Sequence, residues 1–429
     1  MDNIFNLQKF CDFASRRKES AKKSNNNYLA AAFKARRLQL NKTLDRATDG
    51  KCSKAYASKF ENNQIDIDDD IGRKLYENVD LDYDRIKSLD QQNILASGIR
   101  MFLFNQNDQI CGLIESMNYD FFIAQNKIIE LLVSLIDGHF ERSEELIYEI
   151  DRVRGSLTEY EFIAFGICIC EYYLKTNQLL KAKKFVTGFT CDIHFKELKF
   201  LYLEQRFNVY FNLGEKSPSF NAYKELEKEF NSGYPRKREF LDKLHFLELF
   251  ASIDTLKELK DMLDDMIPDD YIEEYWYTYC LCLIKNENYK ECMELIQKYE
   301  LNNSKFVALY VYCANMVARM IPSLKGKDTL SKRLSPKTIT YVNSFVERME
   351  KNHQNIIDRN FIKLMQLEMV GTSNEELASY IREVALKYDA TYQHRFYSSI
   401  YAHRLFELLG NMTRYKEAYM IAKNDRTFK

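Results

Sequence analysis

Proline and glycine are scarce in this chain of 429 residues, which contains 5 Pro and 13 Gly. Average usage would place roughly 20 Pro and about 30 Gly in a chain of this length. The first proline is Pro218. A chain that avoids both residues has few tight turns and long helices. The scarcity of proline and glycine therefore counts against β-sandwiches, β-barrels and glycine-rich nucleotide-binding folds.

Long uncharged segments are also lacking. A membrane helix requires about 18 or more consecutive apolar residues, and the apolar stretch 162–170 is too short. At the start of the chain, Asp2, Lys9 and Asp12 interrupt any apolar region of a signal peptide. We therefore expect a cytoplasmic protein that does not enter a membrane.

The ten cysteines do not form the usual metal or redox motifs. Cys168 and Cys170, and likewise Cys280 and Cys282, are C-x-C pairs inside apolar stretches, whereas zinc ribbons and redox sites use C-x-x-C. We expect small buried side chains with reduced thiols.

Motifs for catalysis are equally lacking. The six histidines lie far apart, and the chain has no P-loop, no G-x-G-x-x-G and no G-x-S-x-G. The acidic run Asp66–Asp70 lacks the Gly and Glu that a calcium loop requires, and a helix N-terminus explains it better. We expect that the protein is not an enzyme and holds no cofactor or metal.

Charge is distributed unevenly, although the net charge is only -1. Residues 1–64 carry a net charge of +8 and the remaining residues a net charge of -9. A basic N-terminal segment followed by an acidic remainder suggests a polyanion-binding domain joined to a further region of the protein. A basic solvated helix face is the alternative.

The basic segment 33–77 is predicted to form short helices. The first ends near Leu38, the second covers 43–48, the third covers 53–61 and a fourth covers 68–78. Ser53 is a natural N-cap, and Gly50 suits the positive φ of a tight turn. Two helices joined by a short glycine turn are typical of a helix-turn-helix, whose second helix enters the major groove of DNA.

The segment TLDRATDGKCSKAYASKFENN, which starts at Thr43, resembles the helix-turn-helix of phage-repressor-like (XRE-type) regulators. Ten residues match the pattern: Thr43, Leu44, Gly50, Cys52, Ser53, Tyr56, Ser58, Lys59, Glu61 and Asn62. Ala47, Lys51 and Ala57 replace core aliphatic residues of the family. These departures suggest a loosely packed domain, or one that has drifted from sequence-specific binding.

The resemblance implies which residues meet DNA. The base-reading face falls on Lys54, Ala55 and Lys59, with Tyr56 and Ser58 at its margins. Phosphate contacts fall on Thr43, Ser53, Asn62 and Asn63. An N-terminal basic stretch could be an arm that grips the DNA backbone, or equally a solvated helix face. Its cations are Arg16, Arg17, Lys18, Lys22 and Lys23.

Past residue 80 the chain is a series of amphipathic segments of about 12 to 18 residues with short polar joints. A small residue recurs after several joints, at Ser143, Ala182, Cys292 and Ala418, and Ala222 fits more loosely. The pattern resembles the second helix of a tetratricopeptide repeat, where a small side chain lets a neighbouring helix approach. We predict an all-α protein, with an N-terminal helix-turn-helix domain followed by a tetratricopeptide-like α-solenoid. An irregular all-α domain is the alternative to the solenoid.

The predicted domains are a basic N-terminal helix or arm over 1–27, a helix-turn-helix over 28–80, and helical repeats over 81–429. This architecture resembles the Rgg, PlcR and AimR peptide-responsive regulators of Gram-positive bacteria and their phages. The resemblance implies a transcriptional regulator that binds double-stranded DNA, and repeats that bind a short signalling peptide, as in quorum sensing, and form a homodimer. An interaction scaffold with a degenerate helix-turn-helix is the alternative.

An effector peptide held in a solenoid needs side chains that satisfy its backbone groups, which asparagine does well. The candidates are Arg206, Asn208, Asn212, Asn315 and Arg319. For each of these five residues, the alternative is that it is a solvated residue on the outer surface. The aromatic cluster 271–279 is expected to be helix-pair core, with a ligand groove as the alternative. The homodimer contact is expected in the C-terminal helices around 396–409.

Overall fold

The computed structural model describes residues 5–17, 27–88, 94–115, 122–251, 253–264, 271–321, 329–351, 356–385 and 395–424. These residues form α-helices and short 3₁₀ or π turns, and no strand occurs among them. The prediction of an all-α protein is therefore confirmed. Within the described ranges, no helix is long and apolar enough to cross a membrane.

Twelve helices lie in the first part of the chain. They are α1 (Leu7–Arg17), α2 (Asn27–Gln39), α3 (Leu44–Thr48), α4 (Lys54–Glu61), α5 (Asp69–Glu77), α6 (Tyr83–Lys87), α7 (Ile94–Leu103), α8 (Asn107–Glu115), α9 (Ala124–Ile136), α10 (Phe140–Arg152), α11 (Glu159–Lys175) and α12 (Leu179–Gly188).

The later described helices follow. They are α13 (Lys196–Asn212), α14 (Lys216–Glu227), α15 (Arg236–Leu249), α16 (Ile253–Asp264), α17 (Ile272–Lys285), α18 (Tyr289–Lys298), α19 (Ser304–Met320), α20 (Pro336–Lys351), α21 (Ile356–Met369), α22 (Asn374–Tyr380), α23 (Arg395–Asn411) and α24 (Tyr415–Asn424). A π-helical turn, Ile381–Ala385, follows α22. Proline stands in the first turn of α14 and at the first position of α20, where its missing N–H disrupts no helical hydrogen bond.

The chain divides into two compact units. The first contains residues 1–209 and 224–235, and the second contains 210–223 and 236–429. The predicted domain limit at residue 80 is not a limit between these units, because segment 28–80 belongs to the same unit as the helices that follow it. We call residues 28–80 the head and residues 81–429 the body.

A recurring turn joins the paired helices. The residue at the turn has positive φ at Gly138, Asn177, Gly214, Glu287 and Thr413. In each case the next residue donates its backbone N–H to the carbonyl five residues earlier, at 2.8 to 3.0 Å. This bond closes the end of a helix in the Schellman motif, which needs a left-handed residue.

The small residues predicted at close helix contacts lie five positions after this turn. Ser143, Ala182 and Cys292 are fully buried and Ala418 is 4% exposed. In the helix pair α13 and α14, which fitted the pattern loosely, the turn is at Gly214. The equivalent position is Ser219, which is fully buried. Ala222, which was assigned to this position, is also buried but lies three residues later. A small buried residue therefore lies five positions after each of these turns, and in this helix pair it is Ser219 rather than Ala222.

The cysteine pairs are buried as expected. Cys168, Cys170, Cys280 and Cys282 have no exposed surface, and all four thiols are free. In the aromatic cluster 271–279, Tyr275 and Trp276 are buried, and the ring of Trp276 stacks on Tyr299 with centroids 4.2 Å apart. These two rings are core residues of the second unit, as the first interpretation of the cluster predicts.

Helix α1 packs into the first unit through an aromatic cluster. Phe10 is fully buried, and its ring stacks on those of Phe162 and Phe189 with centroids 4.9 and 6.0 Å apart. A side chain at Gly188 would approach Cys11 to 3.2 Å, so the glycine leaves room for α1.

Arg17, predicted to belong to a DNA-gripping arm or to a solvated face, is instead held inside this unit. Its guanidinium donates to the carbonyl of Arg154 at 3.1 Å and to the carbonyl of Leu157, and it lies over the ring of Phe162 at 4.5 Å. Burial lowers the pKa of Arg17 to about 10. Arg17 is therefore half-buried with its guanidinium engaged inside the unit, and is not the freely solvated residue of the second interpretation. Arg16 is exposed, and Lys18, Lys22 and Lys23 lie outside the described residues.

We expect Phe10→Ala to lower the free energy of unfolding of the first unit by about 3 to 5 kcal/mol, because it removes a fully buried ring and leaves a cavity. Thermal unfolding followed by circular dichroism measures the loss. The matched control is Phe104→Ala, since Phe104 is 43% exposed, and it should cost far less. Equal melting temperatures for the two variants would show that α1 does not stabilise the unit.

Candidate nucleic-acid interface

Helices α3 and α4 are bounded by local hydrogen bonds that the sequence supplies directly. The hydroxyl of Thr43 accepts a hydrogen bond from the backbone N–H of Arg46 at 3.4 Å, and Ser53 accepts one from Tyr56 at 3.2 Å. The turn between the helices contains Asp49 and Gly50, both with positive φ. The two caps start α3 and α4, and the turn at Asp49 ends α3, all within one residue of the predicted bounds.

The head has its own small core. The ring of Phe33 packs on Phe60 and on Tyr76 with centroids 5.9 and 5.7 Å apart. Ala47 and Ala57, two of the departures from the family pattern, are fully buried, while Lys51 is exposed. Three large rings therefore fill a core in which the small alanines could have left gaps.

The outer side of α4 carries the residues predicted to read bases. Lys54, Ala55 and Lys59 are exposed, and Tyr56 and Ser58 are half-buried. The hydroxyl of Tyr56 accepts a hydrogen bond from the backbone N–H of Asp68 at 3.3 Å, which connects α4 to the start of α5. The helix thus presents Lys54 and the methyl group of Ala55 to solvent in its capped first turn and Lys59 in its last turn.

Lys54 has an acidic neighbour. Its ammonium lies 3.0 Å from the carboxylate of Asp45, and each side chain is 65% exposed. An exposed ion pair of this kind is worth about 0 to 1 kcal/mol, so it can be broken when a stronger anion approaches. The pair orients the lysine at the turn without removing it from the surface.

The predicted phosphate contacts divide into two groups. Thr43 and Ser53 are exposed caps at the N-termini of α3 and α4. Asn62 is half-buried; it donates to the carbonyl of Ser58 at 2.9 Å and accepts from Lys34 at 3.3 Å. Asn63 is only 1% exposed. The expectation for Asn63 is not supported, because its side chain is covered by protein.

A buried ion pair lies beneath this end of α4. Arg37 binds Glu61 through Nε at 2.5 Å and through Nη2 at 2.9 Å, and the two side chains are 13% and 5% exposed. The backbone carbonyl of Glu61 accepts a hydrogen bond from the hydroxyl of Ser156 at 2.5 Å. Burial lowers the pKa of the neighbouring Lys34, and the charge of Glu61 opposes that shift.

Ser156 belongs to the loop between α10 and α11, so this contact connects the head to the helices after residue 80. The loop fits closely. A side chain at Gly155 would come within 2.5 Å of the amide oxygen of Asn62. Sequence reasoning missed this interface, because Ser156 and Gly155 lie in no motif and their partners are more than 90 residues away.

The predicted effector residues are mostly engaged in contacts within the protein. Arg206 pairs with Glu225, and Asn208 is half-buried. Asn315 is 1% exposed and donates to Glu368 at 3.0 Å, and Arg319 binds the same carboxylate at 2.6 Å. Asn315 is therefore not available to a peptide in this structure. Asn212 is exposed, and Arg319 keeps 27% of its side chain exposed.

The described part of the chain contains no group of three histidine, cysteine, aspartate or glutamate side chains that could hold a metal ion. Comparison of the chain with protein families, with curated proteins and with solved structures finds no match.

We expect Glu61→Gln to destabilise the head by about 3 kcal/mol, because Arg37 would stay buried without an opposing charge. Hydrogen exchange of the backbone amides of α2 to α5 should accelerate accordingly. Asp45→Asn is the matched control: it makes the same chemical change in an exposed ion pair and should cost less than about 1 kcal/mol. Unchanged protection in Glu61→Gln would contradict a structural role for the buried pair.

Proposed function

We propose that the protein is a sequence-specific, DNA-binding transcriptional regulator whose helical body binds an effector and dimerises. The observation that carries the proposal is the exposed face of α4, where Lys54, Ala55 and Lys59 stand on a helix capped by Ser53 after a tight turn. A helix of this kind is suited to the major groove, where lysine can donate to guanine and alanine can contact the methyl of thymine.

The charge distribution supports the same proposal. The first 64 residues have a net charge of +8, which favours approach to a polyanion. The N-termini of α3 and α4 are capped by the exposed residues Thr43 and Ser53, and the backbone N–H groups at a helix N-terminus can bind phosphate oxygens. Because the guanidinium of Arg17 is bonded within the protein and Asn63 is buried, the phosphate contacts in this proposal come from the two caps and from the exposed lysines.

Regulation would work by a shift in the equilibrium between two positions of the head. Specific binding by two heads requires a fixed spacing, since each head reads one half-site. The contact of Ser156 with Glu61 holds the head on the loop after α10, so a body that changes shape would change the placement of the head. We propose a short peptide as the effector, with Arg206, Asn208, Asn212 and Arg319 as the remaining candidates for its contacts.

We expect Lys54→Ala and Lys59→Ala each to weaken binding to a preferred duplex by roughly 1 to 3 kcal/mol and to flatten the sequence preference. The duplex is first selected from a random-sequence library with the wild-type protein, and affinities are then measured at one fixed salt concentration. The control is Lys260→Ala/Lys290→Ala, which removes two exposed lysines outside the head and leaves the same net charge as the double variant.

Two results would contradict the DNA assignment. Unchanged affinity of the Lys54/Lys59 double variant for its best duplex would show that α4 does not read bases. Failure to select any preferred duplex would favour the alternative, an interaction scaffold that only docks proteins.

The dimer contact was predicted around residues 396–409, and it is now proposed on Phe406 of this range together with α24. Most apolar side chains in that range, among them Tyr397, Leu405 and Leu409, are buried in the core of the second unit. The large apolar side chains left exposed on α23 and α24 are Phe406, Tyr415, Tyr419 and Met420, and Tyr415 and Tyr419 are 68% and 63% exposed. These two tyrosines are one helical turn apart and form one face.

We expect Tyr415→Ser/Tyr419→Ser to convert a dimer into a monomer, because two large exposed rings are removed from the proposed contact. Light scattering at micromolar concentration measures the mass of wild type and variant. Leu180→Ser, a change at a residue that is 59% exposed in the first unit, is the control and should leave the mass unchanged. A monomeric wild type, with and without DNA, would overturn the proposed dimer.

A further inference from the structure

A cavity of about 480 Å³ lies at the junction between the head and the first helices of the body. On one side it is lined by α2 and by Leu81, which follows the head. On the other side it is lined by the start of α9, with Phe122 and Ile123, and by the end of α10, with Arg152. All of these residues belong to the first unit. We call this space the junction cavity; its volume is in the range of small-molecule sites.

Two arginines line the junction cavity without an acidic partner among the described residues. Arg36 donates to the carbonyl of Val79 at 3.3 Å and to the side chain of Gln39 at 3.4 Å. Arg152 donates to the carbonyl of Leu38 at 3.4 Å. These acceptors are neutral and the bonds are long, so either guanidinium would gain from a closer anion.

The other charges of the cavity are largely balanced. Lys127 lies 2.9 Å from a carboxylate oxygen of Glu130 and 3.6 Å from one of Glu149. Asp80 is exposed. With Lys127 and Glu149 paired, the lining carries two positive charges, on Arg36 and Arg152, against one negative charge on Asp80, so its net charge is +1.

The rest of the wall is mixed. Leu38, Leu81, Phe122, Ile123 and Val153 contribute apolar surface together with two alanines of α2, and Gln39 and Asn126 contribute polar groups. A ligand with an anionic group and an apolar part would contact both the arginines and the apolar side chains. Guanidinium groups match carboxylate and phosphate oxygens geometrically, because the planar fork can donate two parallel hydrogen bonds.

We propose that the junction cavity binds a small organic anion, whose carboxylate or phosphate is held by Arg36 and Arg152 and whose apolar part lies against Leu81, Phe122 and Ile123. This site differs from the peptide site proposed above, none of whose candidate residues line the cavity. Its regulatory meaning rests on the proposed function. A ligand that contacts both α2 and α10 favours one placement of the head, and so must change the affinity for DNA if the two are coupled.

The binding test uses 8-anilinonaphthalene-1-sulfonate, a fluorescent aromatic anion, titrated into the full chain without DNA. We expect Arg36→Gln/Arg152→Gln to weaken its binding by at least fivefold. The matched control Arg100→Gln/Arg359→Gln removes two exposed arginines outside the cavity and should change nothing. Ala35→Phe, which fills the cavity and keeps both arginines, should also weaken binding, so the test stands if the arginine variant fails to fold.

Competition identifies the chemistry of the anion. Hexanoate and hexyl phosphate should displace the dye, and the more effective of the two shows whether carboxylate or phosphate is preferred. The neutral 1-hexanol should not displace it at the same concentration. Equal dye affinity in wild type, Arg36→Gln/Arg152→Gln and Ala35→Phe would overturn the site, and displacement by hexanol would overturn the anionic class of ligand.

A separate measurement tests the link to DNA. The better competitor, added at saturation and constant ionic strength, should change the affinity of the wild type for its preferred duplex at least threefold and leave Arg36→Gln/Arg152→Gln unaffected. Arginine-dependent dye binding in a protein that selects no duplex would leave the site standing and contradict the proposed function. Selective DNA binding with no arginine-dependent dye binding would contradict the site alone.

Discussion

The first unit depends on one buried charge, the carboxylate of Glu61. Its pairing with Arg37 compensates the cost of removing both ions from water, and a buried pair of this kind is tolerated only when its geometry is good. The same residue's backbone carbonyl accepts a hydrogen bond from Ser156, so the last turn of α4 is fixed on both sides. The exposed face that carries Lys54 and Lys59 is held in position by groups on the covered face of the same helix.

Local chemistry explains which parts of the fold could be predicted. Ser53 was predicted as a helix cap, and Thr43 and Asp68 as the first residues of helices. A cap depends on backbone groups two or three residues away, and all three residues make those hydrogen bonds. The small residues of the body were recognisable because the turn and the close helix contact are five residues apart. Such relations are visible in a single stretch of sequence.

The errors concern side chains whose partners are distant in sequence. Arg17 is a cation next to other cations, and nothing near it indicates that carbonyls some 140 residues later would surround its guanidinium. Asn315 looked like a peptide ligand because asparagine suits that role, but it donates to Glu368, 53 residues further on. The junction cavity was missed for the same reason, because Arg36 and Arg152 come together only when the head rests on α10.

The position of α1 has a consequence for how the chain folds. Phe10 is synthesised before its ring partners Phe162 and Phe189, which emerge from the ribosome more than 150 residues later. The head, which lies between them in sequence, can fold before α1 has anywhere to dock. When α1 docks, it closes a loop around the head, at an entropic cost that grows only logarithmically with loop length. From then on the head is tethered at both of its ends, and the nine residues between α1 and α2 span at most about 35 Å.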